Sequence, residues 1–218
     1  MSNSTEPKIY RLFAVFLALT LVLLWCQTIR ASSNVGLSQH ETIDWQDVIE
    51  QTAENIDVTS RLLRGIAYAN LGELPKSLQE FEIAGQEGYI DDVALFVLDK
   101  LRELRKTPND LLLLNCAAFG SYAFGDLAAS AEYFEHIVKL DSQNIWARNF
   151  AAIVYGYLDE FDHALNHLRE AVAIDPKNQY SHLLLSAVYK EKSQYLQAFY
   201  HYLQAPDAVK ELRDNGIL

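Results

Sequence analysis

Along the second half of the chain, apolar side chains fall three and four residues apart with polar ones between them. Leu127, Ala131, Phe134, Ile137 and Leu140 form one series. Phe161, Ala164, Leu168, Ala171 and Ile174 form a second, and Tyr195, Ala198, Tyr202 and Ala205 a third. At about 3.6 residues per turn, each series lies on one face of an α-helix. The series also keep step with one another. GDLAASAEYFEHIVKLDSQN (125–144) returns in register as DEFDHALNHLREAVAIDPKN (159–178). Ser130 then falls on Ala164, Phe134 on Leu168, Asp141 on Asp175 and Asn144 on Asn178. Each series is preceded by a helix with small or matching residues: Ala117–Ala118, then Ala151–Ala152 with Tyr155, then Leu185–Ser186 with Tyr189. Small side chains let a second helix approach closely. The unit is therefore a helix, a tight turn and a second helix. One such pair cannot bury its apolar face alone, whereas stacked copies bury a continuous core.

The 34-residue period, the two stretches above and Pro176 at their junction resemble the tetratricopeptide repeat (TPR) family. RGIAYANLGELPKSLQEFEIAG (64–85) fits the same pattern through Gly65, Tyr68, Leu71, Gly72, Phe81 and Ala84. The step from it to its next counterpart, Gly72 to Gly125, is longer than the period. Within that step YIDDVALFVLDKLRELRKTPND (89–110) reads as one additional helix ending at Pro108. The resemblance covers roughly 57–205. It implies an all-α, TPR-like helix-turn-helix solenoid over 43–218, with about four units, one of them irregular. The units are expected near 58–90, 111–144, 145–178 and 179–205, with the extra helix at 91–106. Amphipathic segments at 43–55 and 206–214 are expected to close the two ends.

A different pattern opens the chain. Residues 1–11 are polar and carry Lys8 and Arg11, and LFAVFLALTLVLLWCQTI (12–29) follows without a charge. Eighteen helical residues reach about 27 Å, close to the roughly 30 Å hydrocarbon thickness of a bilayer. Arg11 and Arg30 flank the run, and Trp25 sits near its end, at the level an indole prefers. The run is expected to be a single transmembrane signal anchor, with 1–11 in the cytoplasm and 30–42 as a tether. Two basic residues precede it and one follows, which places the repeat domain outside the cytoplasm. The alternative is a signal peptide cleaved after Ala31, although Ile29 is large for the position three before such a cut.

In the TPR family the first helix of each unit lines a concave groove that holds peptides or partner helices. The first helices here are 111–125, 145–159 and 179–193. By that resemblance, Leu112, Trp146 and Tyr180 form one row of the groove, and Asn115, Asn149 and Leu183 a second. Phe119 and Ile153 continue inward, with Tyr122 and Tyr157 beyond them. Large rigid rings supply contact area at low entropic cost. The two amides are expected to meet an extended peptide backbone. Chaperone-tail binding by this family needs lysine and arginine along these rows, where only Lys190 lies near.

Composition narrows the function further. The net charge is −11, and from Ala31 onward 15 lysines and arginines stand against 28 acids, or −13. Such a surface repels phosphate backbones, so no nucleic-acid partner is expected. Cys26 and Cys116 form no metal-like spacing. His163 and His167 stand one turn apart. His201 takes the place of His167 in the next unit, so those two are expected as neighbours. Without an HExxH glutamate they read as surface histidines rather than metal ligands. No GxSxG, GxGxxG or GxxxxGK[ST] motif occurs. The expectation is a non-enzymatic, membrane-tethered scaffold or adaptor without cofactor, metal or evident small-molecule substrate, whose partner is a protein or peptide. The alternatives are a soluble secreted or periplasmic adaptor, or a non-catalytic regulatory subunit.

Overall fold

The computed structural model describes residues 43–86 and 89–218. The expected anchor at 12–29, its flank 1–11 and the tether up to residue 42 lie outside the described residues. Among the described residues no helix is long and apolar enough to cross a membrane.

Eleven α-helices and no strand make up the described residues. They are α1 (Trp45–Thr52), α2 (Val58–Leu71), α3 (Leu74–Ala84), α4 (Ile90–Leu104), α5 (Leu111–Ala123) and α6 (Leu127–Leu140). Then follow α7 (Ile145–Tyr157), α8 (Phe161–Ile174), α9 (Gln179–Glu191), α10 (Tyr195–Leu203) and α11 (Pro206–Asp214). Four antiparallel pairs result: α2–α3, α5–α6, α7–α8 and α9–α10. The helix expected over 91–106 is α4, which packs on α5 and more lightly on α2.

The period is written into both ends of the first helices. Asp57, Asp110, Asn144 and Asn178 cap them, each side chain accepting a backbone N–H of the first turn. Such a cap satisfies a donor that the helix itself leaves unpaired. At the other end the chain turns through a left-handed residue, at Gly72, Gly125, Asp159 and Ser193 in turn. The following amide then reaches back to the last turn of the helix. Glu73 N donates to Tyr68 O at 2.9 Å, Asp126 N to Ser121 O at 2.9 Å, Glu160 N to Tyr155 O at 2.9 Å and Gln194 N to Tyr189 O at 2.8 Å. This closes each helix with the Schellman bond.

Small residues set the approach within each pair. Ser77 Oγ donates to Gly65 O at 2.8 Å, and Ser130 Oγ to Ala118 O at 2.9 Å. Both serines are buried, as are the alanines at the same place in the later pairs, Ala164 and Ala198. Phe119 meets Phe134 edge to face within the α5–α6 pair, at a centroid separation of 5.4 Å, and Phe150 of the next pair at 5.0 Å. At the amino-terminal end, buried Arg64 binds Glu80 of α3 at 2.8 Å and the carbonyls of Thr52 and Asn55, which ties α1 to the first pair. The α2–α3 pair does not simply extend the row. α2 reaches across α5 to α7.

Candidate partner-binding groove

On the side where Trp146 and Tyr180 meet, the chain itself forms a roof. Trp146 and Tyr180 are half-buried, with ring centroids 5.5 Å apart. The α2–α3 turn lies directly on the indole: a Cβ at Gly72 would stand 2.3 Å from Trp146 Cζ2. Leu78 of α3 and Leu212 and Ile217 of the carboxy-terminal segment pack with Tyr180 and Leu183. The Tyr180 hydroxyl donates to Glu211 Oε2 of α11 at 2.8 Å. Burial, and then that carboxylate, push its ionisation above the ordinary tyrosine range. A cavity of about 40 Å³ remains between α3, α7, α9 and the carboxy terminus.

The second row corrects the sequence reading. Asn115 and Asn149 do not face an open peptide channel, since both are 1 % exposed. Asn115 Oδ1 accepts from Asn70 Nδ2 at 3.0 Å, and its Nδ2 donates to Leu111 O at 2.8 Å. Asn149 Oδ1 accepts from Ser181 Oγ at 2.8 Å, while its Nδ2 has no partner, and the residue lines the small cavity. Buried amides gain by pairing, and Asn70 and Ser181 on neighbouring helices supply the partners of the two amide oxygens. Leu183 is buried under α11, and Phe119 belongs to the core. Leu112 and Ile153 are half-buried.

At the far end Tyr122 and Tyr157 stand 5.8 Å apart and share a hydrogen bond between their hydroxyls. Burial pushes Tyr157 up to about 12 and raises Tyr122 further. Both stay neutral donors over the physiological range.

The histidines also depart from expectation. His163 is exposed, but His167 is buried, with Nε2 3.0 Å from Glu135 Oε1. The same carboxylate oxygen accepts from Tyr155 at 3.1 Å. His201 does not pair with His167. It meets His182, Nδ1 to Nδ1 at 2.9 Å, while His182 Nε2 faces Pro176 O at 3.1 Å. Burial, then His182 and Arg169, lower the His201 pKa below the ordinary 6.5. Among the described residues no three His, Cys, Asp or Glu side chains gather as a metal site. Cys116 is buried, and burial pushes its thiol up to about 12.

Sequence reasoning missed two features. His182 carried no repeat signal, because the same position holds Arg148 one unit earlier. An apolar cavity of about 80 Å³ lies between α3, α4 and α5, lined by Phe81, Phe96, Val97, Cys116 and Phe119 among others. It sits where the extra helix breaks the period, and that break was its one visible trace.

Neither a protein-family model nor a curated protein matches the chain. Solved structures do. MamA MSR-1 C2 superposes with a TM-score of 0.51 at 13 % identity, over 94 % of this chain and 97 % of that one. The MamA RS-1 ArsTM double mutant gives 0.51 at 17 % identity, over 77 % and 84 %. At these identities the likeness establishes the fold, which is all-helical and TPR-like.

Proposed function

We propose that the chain is a membrane-tethered, non-catalytic scaffold that holds a protein or peptide partner on the concave side formed by α5, α7 and α9. The apolar run 12–29 is the membrane anchor, 30–42 the tether, and the repeat domain lies outside the cytoplasm. The supporting observation is the way the concave side is filled. A glycine turn lies flat on Trp146, and Leu78 and Ile217 cover Tyr180 and Leu183. These covering segments come from the first pair and from the carboxy-terminal end, and an apolar row of first helices holds them. The row thus accepts a helix or strand that offers a small residue over the indole and two aliphatic side chains beside it. A partner segment with that pattern replaces the internal one, and the unpaired Asn149 Nδ2 donates to its main-chain carbonyl. Burying such side chains contributes about 1.5–3 kcal/mol each, which suffices for exchange between similar segments.

In-cell photo-cross-linking tests this reading, with probes at positions 146 and 180 and a control at exposed Asn166 of α8. The expected result is a discrete adduct from the groove, none from 166, and a stronger adduct in an Ile217→Asp chain whose roof is loosened. No adduct from a folded chain, or undiminished partner recovery by Trp146→Ala, would falsify the groove. Protease added to the extracytoplasmic side is expected to digest the repeat domain, and protection there would reverse the topology.

A further inference from the structure

Helix α10 is apolar where the other second helices are polar. Leu196, Tyr200 and Leu203 take the places that Asp162, Asn166 and Arg169, all exposed, hold on α8. One unit earlier still, the same places hold Ala128, Glu132 and Glu135. A second set is uncovered for a different reason. Leu165 on α8 is 3 % exposed beneath α9, but its counterpart Phe199 is 62 % exposed, because α11 packs on α9. Six large side chains of one nine-residue helix result: Tyr195, Leu196, Phe199, Tyr200, Tyr202 and Leu203, each between 43 % and 85 % exposed.

At about 100° per residue, these six occupy one continuous arc of roughly 160°, bordered on one side by Gln197 and Gln204. Ala198 and Ala205 fill the opposite, buried side. A helix apolar nearly all round is a buried helix. No described residue covers this arc.

We infer that α10 is a homodimer face, on which the α10 helices of two copies pair about a two-fold axis. Charge selects this occupant. Residues 195–205 carry no Asp, Glu, Lys or Arg, in a chain of net charge −11. Two such chains repel one another everywhere except at an uncharged face. A basic partner would be drawn to the acidic surfaces instead, and an anionic bilayer would repel the domain. The aromatics supply the larger part of the area a dimer needs. At about 200 Å² per ring, the four aromatics alone expose about 450 Å², more than half of the roughly 800 Å² per partner of a standard interface. The face lies away from Trp146 and Tyr180, so dimerisation and groove binding stand or fall separately.

The test uses the full chain reconstituted in phosphatidylcholine vesicles, with a photo-cross-linking phenylalanine analogue at position 199, and in parallel in neutral detergent with mass by light scattering. The expected result is a dimer whose 199 adduct maps to 195–203 of the second copy. The double substitution Leu196→Glu, Leu203→Glu should weaken dimerisation at least about 100-fold, as loss of a central cluster does, with helicity unchanged. Leu95→Glu on α4, also exposed, should leave the dimer intact. The inference is overturned by a monomer at all concentrations or by a dimer that survives the double substitution. It is equally overturned if the 199 adduct maps to lipid, to α4 of another copy, or to 12–29 of the same chain.

Discussion

Two glycines in the same left-handed conformation allow the roof over the groove to be measured. Gly72 and Gly125 end α2 and α5 with φ of 80° and 76°. A Cβ at Gly125 would meet nothing within 4 Å, whereas a Cβ at Gly72 would stand 2.3 Å from Trp146 Cζ2 and 2.9 Å from Cε2. Gly125→Ala therefore reports backbone strain alone. A left-handed residue with a Cβ costs about 1–2 kcal/mol, and the stiffer unfolded chain returns about 0.4–1 kcal/mol. The net loss is about 0.5–1 kcal/mol. Gly72→Ala carries the same loss plus the displacement of a packed indole, about 1–3 kcal/mol for overpacking. The expected total is about 2–4 kcal/mol. Urea unfolding followed by circular dichroism reads both, with the midpoint compared at constant slope. The cycle is completed by Trp146→Ala, in whose background the cost of Gly72→Ala should fall to that of Gly125→Ala. If the two glycine variants agree to within about 0.5 kcal/mol, the limit of additivity between independent sites, the turn does not rest on Trp146. The concave side would then be open.

At two other helix ends the left-handed residue carries a side chain, so Asp159→Gly and Ser193→Gly should each stabilise by about 0.5–1 kcal/mol. The thermal midpoint should rise by about 2–4 °C for each kcal/mol gained, and a fall at both sites would contradict the turn geometry. Ser130→Ala should cost no more than about 1 kcal/mol, the net value of one neutral hydrogen bond. Ser130→Leu should cost more by overpacking, and calorimetry separates the two. His201 has a lowered pKa in the folded chain, so the unfolded chain binds its proton first. Stability should therefore fall as pH drops through 6.5 and level off below the folded value. His201→Gln should flatten that slope, and a slope of opposite sign would contradict the lowered pKa of His201. In a Cys26→Ser chain, Cys116 should react with a disulfide reagent only on unfolding, since its thiol is buried and titrates near 12.

How far the sequence reached depends on how far along the chain each contact runs. Caps and turns are local, and their letters repeat at 57, 110, 144 and 178 and at 72 and 125. The helices were legible for that reason. Asp159 and Ser193 hide the same turn behind residues that turn left-handed far less readily than glycine, and only the period exposes them. The row of Trp146 and Tyr180 was also legible, because equivalent positions on stacked helices must align. What covers that row was not. Asn70 reaches Asn115 from the first pair, and Leu78 meets Leu212 and Ile217 from the other end of the chain. No period encodes such contacts, because they join non-equivalent positions. They follow from the long step between Gly72 and Gly125, which exceeds one repeat by the length of α4 and its connections. An odd helix reverses the chain once without the compensating return. The first pair is thereby placed where α2 crosses α5 and reaches α7, instead of lying one step further along the stack. The irregular insertion, which looked like a defect in the repeat, is thus the element that closes the concave side. Deleting α4 with its connections, so that Gly72 and Gly125 stand one period apart, should restore the regular stack and uncover Trp146. Its fluorescence should then shift toward that of a solvated indole. An unchanged emission would mean that the roof is held by the carboxy-terminal segment alone.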